Sequence, residues 1–268
     1  MLPADLQAAL RQQPRGLVFD IDGTLSPIVP RPDEARLYAG VAQDLKQASR
    51  LAHTAIITGR AITQGAAIVN VEGLTYIGTH GLEWSDGLPG AHPVQLIPAA
   101  QPYIEAGKAL LDLAERELDG APGIIIEHKS VGGSIHYRLA PQPALAREQI
   151  LALLEEPARQ AQLRLSEGKM VVEIRPPIHV NKGEALRRFA RQKRLHTVVF
   201  AGDDRTDLDA LLEIERLRAS GLAAFAIAVQ HPDTLPELLA HADLVVQGVG
   251  AMAALLHELV EYLAGQDE

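Results

Sequence analysis

Along the chain, short apolar runs rich in β-branched residues alternate with longer stretches in which apolar residues recur every three or four positions. The short runs predict strands at Gly16–Asp20, Thr54–Thr58, Leu74–Gly78, Thr197–Ala201, Ala223–Val229 and Asp243–Val246. Most are apolar on both faces, as strands sandwiched between helix layers must be. The stretches between them predict helices over Ala35–Arg50, Ala61–Val69, Asn181–Gln192, Thr206–Glu213, Thr234–Leu239 and Gly250–Ala264. Strand–helix–strand repetition of this kind predicts an α/β fold with a Rossmann-like parallel sheet and helices on both sides.

The middle of the chain breaks this rhythm. After Leu82 comes the Gly/Pro-rich stretch Ser85-Asp86-Gly87-Leu88-Pro89-Gly90. The pattern then predicts a helix at Pro102–Leu118, strands at Ile124–Lys129 and Ser134–Leu139, a helix at Pro143–Arg159, and strands at Gln162–Glu167 and Met170–Arg175. Gly132-Gly133 and Gly168-Lys169 read as hairpin turns. An α-β-β-α-β-β block is an open-faced sandwich that can stand alone. Residues 99–177 are therefore expected to form an α+β domain inserted into a core made of residues 1–98 and 178–268. The crossings would lie near Ile97-Pro98 and Pro176-Pro177.

A length of 268 residues suits a core domain carrying one insertion. The absence of cysteine excludes a disulfide scaffold, a thiol nucleophile and a zinc–thiolate site, and it fits a cytoplasmic protein. The net charge of −9 argues against nucleic acid as partner. The one basic run, Arg187 to Arg194, lies on an expected helix beside acidic neighbours and reads as a solvated face. Met1-Leu2-Pro3-Ala4-Asp5 does not open a signal peptide, and no apolar stretch approaches the ~18 residues of a membrane span, so no membrane association is expected.

Four short segments carry candidate chemistry. In Val18-Phe19-Asp20-Ile21-Asp22-Gly23-Thr24-Leu25, two aspartates stand two apart where an apolar strand ends, so both carboxylates can share one face, and Gly23 permits a sharp turn. An acidic strand-to-turn junction would look the same; a helix–loop–helix calcium site would not, because Ser26-Pro27 departs from its pattern. Asp203, Asp204 and Asp207 follow a second apolar strand. Helix capping accounts for part of that cluster, but three carboxylates beside another pair call for a cation, and oxygen-only donors select a hard metal such as Mg2+. Asn181 and Glu184 have capping-box spacing and put Lys182 in a first helical turn, where a lysine is electrostatically misplaced unless an anion lies near. Ile57-Thr58-Gly59-Arg60, at another strand end, offers a hydroxyl and free N–H groups suited to phosphate.

In chain order, aspartate pair, threonine, lysine, acidic loop, the four segments resemble the haloacid dehalogenase superfamily of phosphotransferases. The resemblance implies that Asp20 is the nucleophile that carries the phosphoryl group and that Asp22 is the general acid and base. It implies that Thr58 and Lys182 bind phosphoryl oxygens, with Gly23, Gly59 and Arg60 also around the substrate. Mg2+ would rest on Asp20, the Asp22 main chain and Asp203, with Asp204 and Asp207 as an outer shell.

Further segments are similar to one family within that superfamily, the trehalose-6-phosphate phosphatases: Gly78-Thr79-His80-Gly81-Leu82-Glu83, Glu127-His128-Lys129, His136-Tyr137-Arg138, Gly168 to Pro176, and Gly202 to Asp207. Leu208 departs from the family's usual glutamate after the acidic loop. The family implies that Glu127, Lys129 and Glu173 bind the sugar; strand spacing independently puts Glu127 and Lys129 on one face and turns His128 away. It also implies trehalose-6-phosphate synthase as functional partner. The rivals are a phosphatase for glycosyl-phosphoglycerate or sucrose phosphate, and a module that binds a sugar phosphate without turnover. His80 could contact ligand or loop, and Trp84 could stack on sugar or plug the core.

Overall fold

The computed structural model describes residues 2–266. It divides the chain into two compact units, one of Leu96–His179 and one of the flanking segments up to Gln95 and from Val180. In chain order, the strands of the described residues are β1 (Arg15–Phe19), β2 (His53–Ile57), β3 (Thr75–Gly78), β4 (Glu83–Ser85), β5 (Gln95–Leu96) and β6 (Ile125–His128), then β7 (Gly133–His136), β8 (Arg164–Gly168), β9 (Val171–Arg175), β10 (Thr197–Gly202), β11 (Ala223–Gln230) and β12 (Leu244–Gln247).

The larger sheet runs β12, β11, β10, β1, β2, β3, β4, β5 from edge to edge. All pairings from β12 to β3 are parallel. Alternation along each strand explains why both faces are covered: Leu17 and Phe19 of β1 enter one core layer and Val18 the other, as do Val199 and Ala201 against Val198 and Phe200 on β10. Each such large side chain contributes about 1.5–3 kcal/mol by leaving water, so strand identity is secured on two faces at once. The chain leaves β1 towards β2 and β3 on one side and returns through β10 and β11 on the other. The sheet therefore changes direction between β1 and β10, and a crevice opens at the carboxyl ends of those two strands.

Several elements differ from the periodicity reading. The first long helix begins at Val41, not Ala35, because Gly40 turns the chain with φ of 88° and the Tyr38 N–H is tied to the Leu25 carbonyl at 2.9 Å. The helix after β10 runs on to Ala219, past the expected end at Glu213. A short helix at Ala4–Leu10 and the antiparallel strand β4 went unforeseen. Trp84 lies on β4, buried in a core layer, with Phe189 at 6.3 Å between ring centroids and the Arg188 guanidinium 4.8 Å above its ring. It is a packing residue.

The second unit is an antiparallel sheet in the order β6, β7, β9, β8. Ile135, Val172 and Ile174 pack with Leu111, Ile150 and Leu154 of its two helices, Ile104–Glu117 and Pro143–Gln160. The opposite face carries its polar residues. β8 and β9 are joined through Lys169-Met170, with Met170 at φ of 62°. Among the described residues, no helix is long and apolar enough to cross a membrane.

Candidate active site

β1 and β10 end in register, Phe19 opposite Ala201, so the residues that follow them flank the switch point. Asp20 is only 3% exposed, and its Oδ1 lies 2.8 Å from Lys182 Nζ. Lys182 opens the helix Lys182–Gln192, whose N-cap, Asn181, accepts the Glu184 N–H at 2.8 Å. That cap fixes the first turn and sends the lysine into the crevice, where it is 2% exposed and also donates to Asp207 Oδ1 at 2.8 Å. One ammonium thus serves two buried carboxylates.

The acidic loop is a helix start with spare charge. Asp204 caps the following helix, its Oδ1 accepting the N–H groups of Thr206 and Asp207. Asp207 closes the capping box: its Oδ2 accepts the N–H groups of Asp203 and Asp204 at 3.0 and 3.1 Å. With Oδ1 on Lys182, both Asp207 oxygens are engaged in holding the loop. Asp203 is held differently. Its Oδ1 accepts the Thr24 hydroxyl at 3.1 Å. Its Oδ2 lies where a Cβ on Gly23 would be, 2.1 Å away, at a backbone φ of +85°. Only glycine lets the two loops approach this closely.

Oxygens of Asp20, Asp203 and Asp207 lie within 4.8 Å of one another. Burial first, with Asp203, Asp204 and Asp22 adding to it, pushes Asp20 up to about 7 against the pull of Lys182. Burial, then Asp207 and Asp204, pushes Asp203 up to about 8. Burial opposes the charge on Lys182, but Asp20 and Asp207 outweigh it and keep the lysine protonated. Asp204 is half exposed at the mouth of the site; some desolvation by its surroundings opposes its charge, but Lys182 and the hydrogen bonds from Asp207 and Thr206 hold it below the usual carboxylate range. A buried, all-oxygen cluster short of positive charge suits a hard cation.

These shifts give a signed expectation for stability. Asp20 and Asp203 bind protons more tightly folded than unfolded, where both titrate near 3.8. Their contribution is therefore complete at low pH and is lost as pH rises through 7 to 8. The midpoint of thermal unfolding of chelated protein should fall between about pH 5 and 8, and Asp203→Asn should flatten that slope. A wild-type curve that rises over this window, or an equally steep one in the variant, would overturn the assignment.

Thr58 and Gly59 follow β2 next to β1. Thr58 Oγ1 accepts the Arg60 N–H at 3.2 Å. The turn is bracketed by Thr79 and His80, whose N–H groups donate to the carbonyls of Arg60 and Thr58 at 2.8 and 2.9 Å. Both Thr79 and His80 are left-handed, at φ of 47° and 56°, a strained pair of the kind that concentrates at functional sites. The His80 ring covers Gly59, where a Cβ would lie 2.6 Å from Cε1, so His80 meets the loop. The Arg60 guanidinium takes Asp22 in a bidentate pair at 2.6 and 2.7 Å and donates to the Pro32 carbonyl at 2.9 Å.

In the second unit, Glu127, Ser134, Glu173 and Ser166 stand opposite one another across the four strands, so their side chains form one row on one face. Lys129 donates to Glu173 Oε1 at 2.8 Å and Ser134 donates to it at 3.3 Å. Glu127 Oε2 pairs with His136 Nε2 at 3.0 Å. The Ser166 hydroxyl is buried with no hydrogen-bond partner among the described residues. His128 faces away and pairs with Glu115 at 2.6 Å.

Sequence reasoning missed three residues here. Thr24 steadies Asp203. Glu83, 1% exposed, accepts the Ile62 N–H at 2.6 Å and so caps the helix after the Thr58 turn. His231 Nε2 lies 2.7 Å from the Gly23 carbonyl. The last had a usable signal, a polar residue just past the carboxyl end of a parallel strand.

Known proteins resemble this chain over most of its length. The Mycobacterium avium trehalose-phosphate phosphatase is 33% identical over 221 residues, covering 80% of this chain and 54% of that protein. That of Mycobacterium marinum is 35% identical over 240 residues, covering 86% and 59%. The chain thus spans about half the length of the curated relatives it matches. The C-terminal domain of the C. albicans trehalose-6-phosphate phosphatase superposes with a TM-score of 0.75 at 22% identity, over 96% of this chain and 95% of that one, and so shares the fold. The trehalose-phosphatase profile matches residues 18–234, which take in the core site from Asp20 to His231 and the polar row, and the chain belongs to that family.

Proposed function

We propose that the chain hydrolyses trehalose 6-phosphate to trehalose and inorganic phosphate through an aspartyl-phosphate on Asp20, with Mg2+ as cofactor. The observation that carries this reading is the buried Asp20 carboxylate at the switch point, 2.8 Å from Lys182 and beside Asp203. In the first half-reaction an Asp20 oxygen attacks phosphorus, the bond from phosphorus to the sugar oxygen breaks, and Asp22 gives its proton to that oxygen. In the second, Asp22 takes a proton from water, the water oxygen attacks phosphorus, and phosphate leaves with Asp20 restored. The bidentate pair with Arg60 holds Asp22 as a carboxylate, so the pair opens for Asp22 to carry the proton it gives and re-forms once that proton has been handed over.

Lys182 and Thr58 bind phosphoryl oxygens, with Gly23, Gly59 and Arg60 around them. Asp20, Asp203 and the Asp22 main chain would hold Mg2+, with Asp204 and Asp207 fixing the loop behind. The cation would offset charge on the phosphoryl oxygens. Glu127, Lys129 and Glu173 supply directed hydrogen bonds for a polyhydroxy ligand. A trehalose-6-phosphate synthase would be the functional partner that supplies the substrate.

Phosphate release from a panel of trehalose 6-phosphate, sucrose 6-phosphate and glucosyl-3-phosphoglycerate tests this. We expect trehalose 6-phosphate to be preferred by more than about 10²-fold in kcat/KM, the discrimination a hydrogen-bonding site supports. Turnover should stop on chelation and return with Mg2+. No release from any of the three, or a preference for another, would refute the reading.

A further inference from the structure

His231 follows β11, on the far side of β10 from β1, 208 residues from the glycine it reaches. Its Nε2 lies 2.7 Å from the Gly23 carbonyl. A carbonyl only accepts, so Nε2 carries the proton and donates it. The main chain that carries the ring is fixed, because the His231 backbone N–H donates to the Thr234 hydroxyl at 2.8 Å and the Thr234 N–H returns to the His231 carbonyl at 3.2 Å. The imidazole is mostly buried, with its Nε2 also 4.0 Å from Asp203 Oδ2.

Three loops meet here. The turn after β1 carries Asp20, Asp22 and Gly23; the loop after β10 carries Asp203; the loop after β11 carries His231. Thr24 ties the first loop to the second through Asp203. Gly23 lies against the Asp203 carboxylate so tightly that a Cβ would overlap it. Within the turn, the Gly23 N–H is bound to the Ser26 carbonyl at 2.7 Å. The peptide of its carbonyl is held inside the turn at one end only, by a long bond from the Thr24 N–H to the Ile21 carbonyl at 3.2 Å; His231, from outside the turn, holds the other end. That peptide, Gly23–Thr24, directly follows the Asp22–Gly23 unit, whose main-chain oxygen is part of the cation site proposed above, and the two share the Gly23 Cα. A tilt of one peptide in such a turn moves the neighbouring carbonyl by a fraction of an ångström, enough to spoil a cation that demands near-ideal geometry.

We infer that His231 is a positioning residue that, through the Gly23 carbonyl, sets the nucleophile turn against Asp203 and so preorganises the cation site. The inference rests on the proposed function for the cation's identity, but not on turnover of any sugar phosphate.

Isothermal titration of the intact protein with MgCl2 tests it, using His231→Asn and His231→Gln together. The glutamine amide reaches to about the Nε2 position and can donate to the Gly23 carbonyl; the asparagine amide stops near Nδ1 and cannot. His231→Asn should raise the Mg2+ dissociation constant by about 5- to 20-fold, the range over which second-shell partners act. His231→Gln should stay within about 3-fold of the parent. In turnover, Asn should lower kcat at limiting Mg2+ with little change in KM for trehalose 6-phosphate, and added Mg2+ should recover part of it. Asn with parental Mg2+ affinity, or Gln as weak as Asn, overturns the inference. Failure of the parent on the sugar-phosphate panel would count against the proposed substrate while leaving the Mg2+ titration to judge His231.

Discussion

Asp20→Asn is expected to abolish turnover while leaving the chain folded and no less stable at pH 8. The substitution keeps the shape and one acceptor oxygen for Lys182 but removes the anion that would attack phosphorus. Losing a group that bonds to the reacting atom costs on the order of 10⁴-fold or more. The stability half of the expectation comes from charge. Asp20 is buried with Asp203 and Asp207 around a single Lys182, and burial already pushes Asp20 up to about 7. Removing one carboxylate relieves repulsion and leaves Lys182 paired with Asp207 at 2.8 Å. The cation-free variant should therefore melt at or above the parent at pH 8. Phosphate release and thermal unfolding on one preparation, checked by mass spectrometry for deamidation, decide it. Turnover above about 1% of the parent would remove Asp20 from its role; a variant that no longer folds would show that the residue serves structure.

Glu173→Ala is expected to lower kcat/KM for trehalose 6-phosphate by about 10²-fold or more and to change that for a small aryl phosphate by less than about 3-fold. Glu173 sits in the middle of the polar row and accepts from Lys129 and Ser134. If Glu173 binds sugar as proposed, truncation would remove one acceptor for its hydroxyls and one partner of the Lys129 ammonium, so the loss on a polyhydroxy substrate would exceed that of one neutral hydrogen bond. An aryl phosphate has no hydroxyls for this row to hold. The row lies on the face opposite Ile135, Val172 and Ile174, so the helix-packed core of that unit keeps its contacts. Equal losses on the two substrates would mean that Glu173 supports folding or phosphate chemistry instead of sugar recognition.

Much of the core was legible along the chain. β1, β2, β10 and β11 are buried on both faces, and burial on both faces leaves continuous apolar runs that no loop produces. The aspartates, the threonine and the acidic loop stand at strand ends, where a parallel sheet exposes residues to ligand. Asn181 and Asp204 signal their helices through short-range capping that depends only on neighbours three apart. By the same logic β4 was obscure: three residues, paired only through β3 on one side and the two-residue β5 on the other, hold too few positions to show a period. The start at Val41 was obscure because periodicity continues backwards through residues that Gly40 and the Leu25 tether hold out of the helix.

By itself, then, the sequence determined where most of the strands and helices lie, that an α+β block interrupts a parallel sheet, and which acidic, hydroxyl and basic residues stand at the strand ends. Those are consequences of local burial and local hydrogen bonding, which side-chain order records directly. The tertiary structure alone decided which of these residues meet. Strand order brings Asp20 next to Asp203 across 183 positions of chain. It gives Lys182 to Asp20 and Asp207 together, turns Arg60 onto Asp22, and carries His231 to the Gly23 carbonyl. Register aligns Glu127, Ser134, Glu173 and Ser166 into one row. Such meetings follow from how whole elements pack, so no window of neighbouring residues holds the information that selects them.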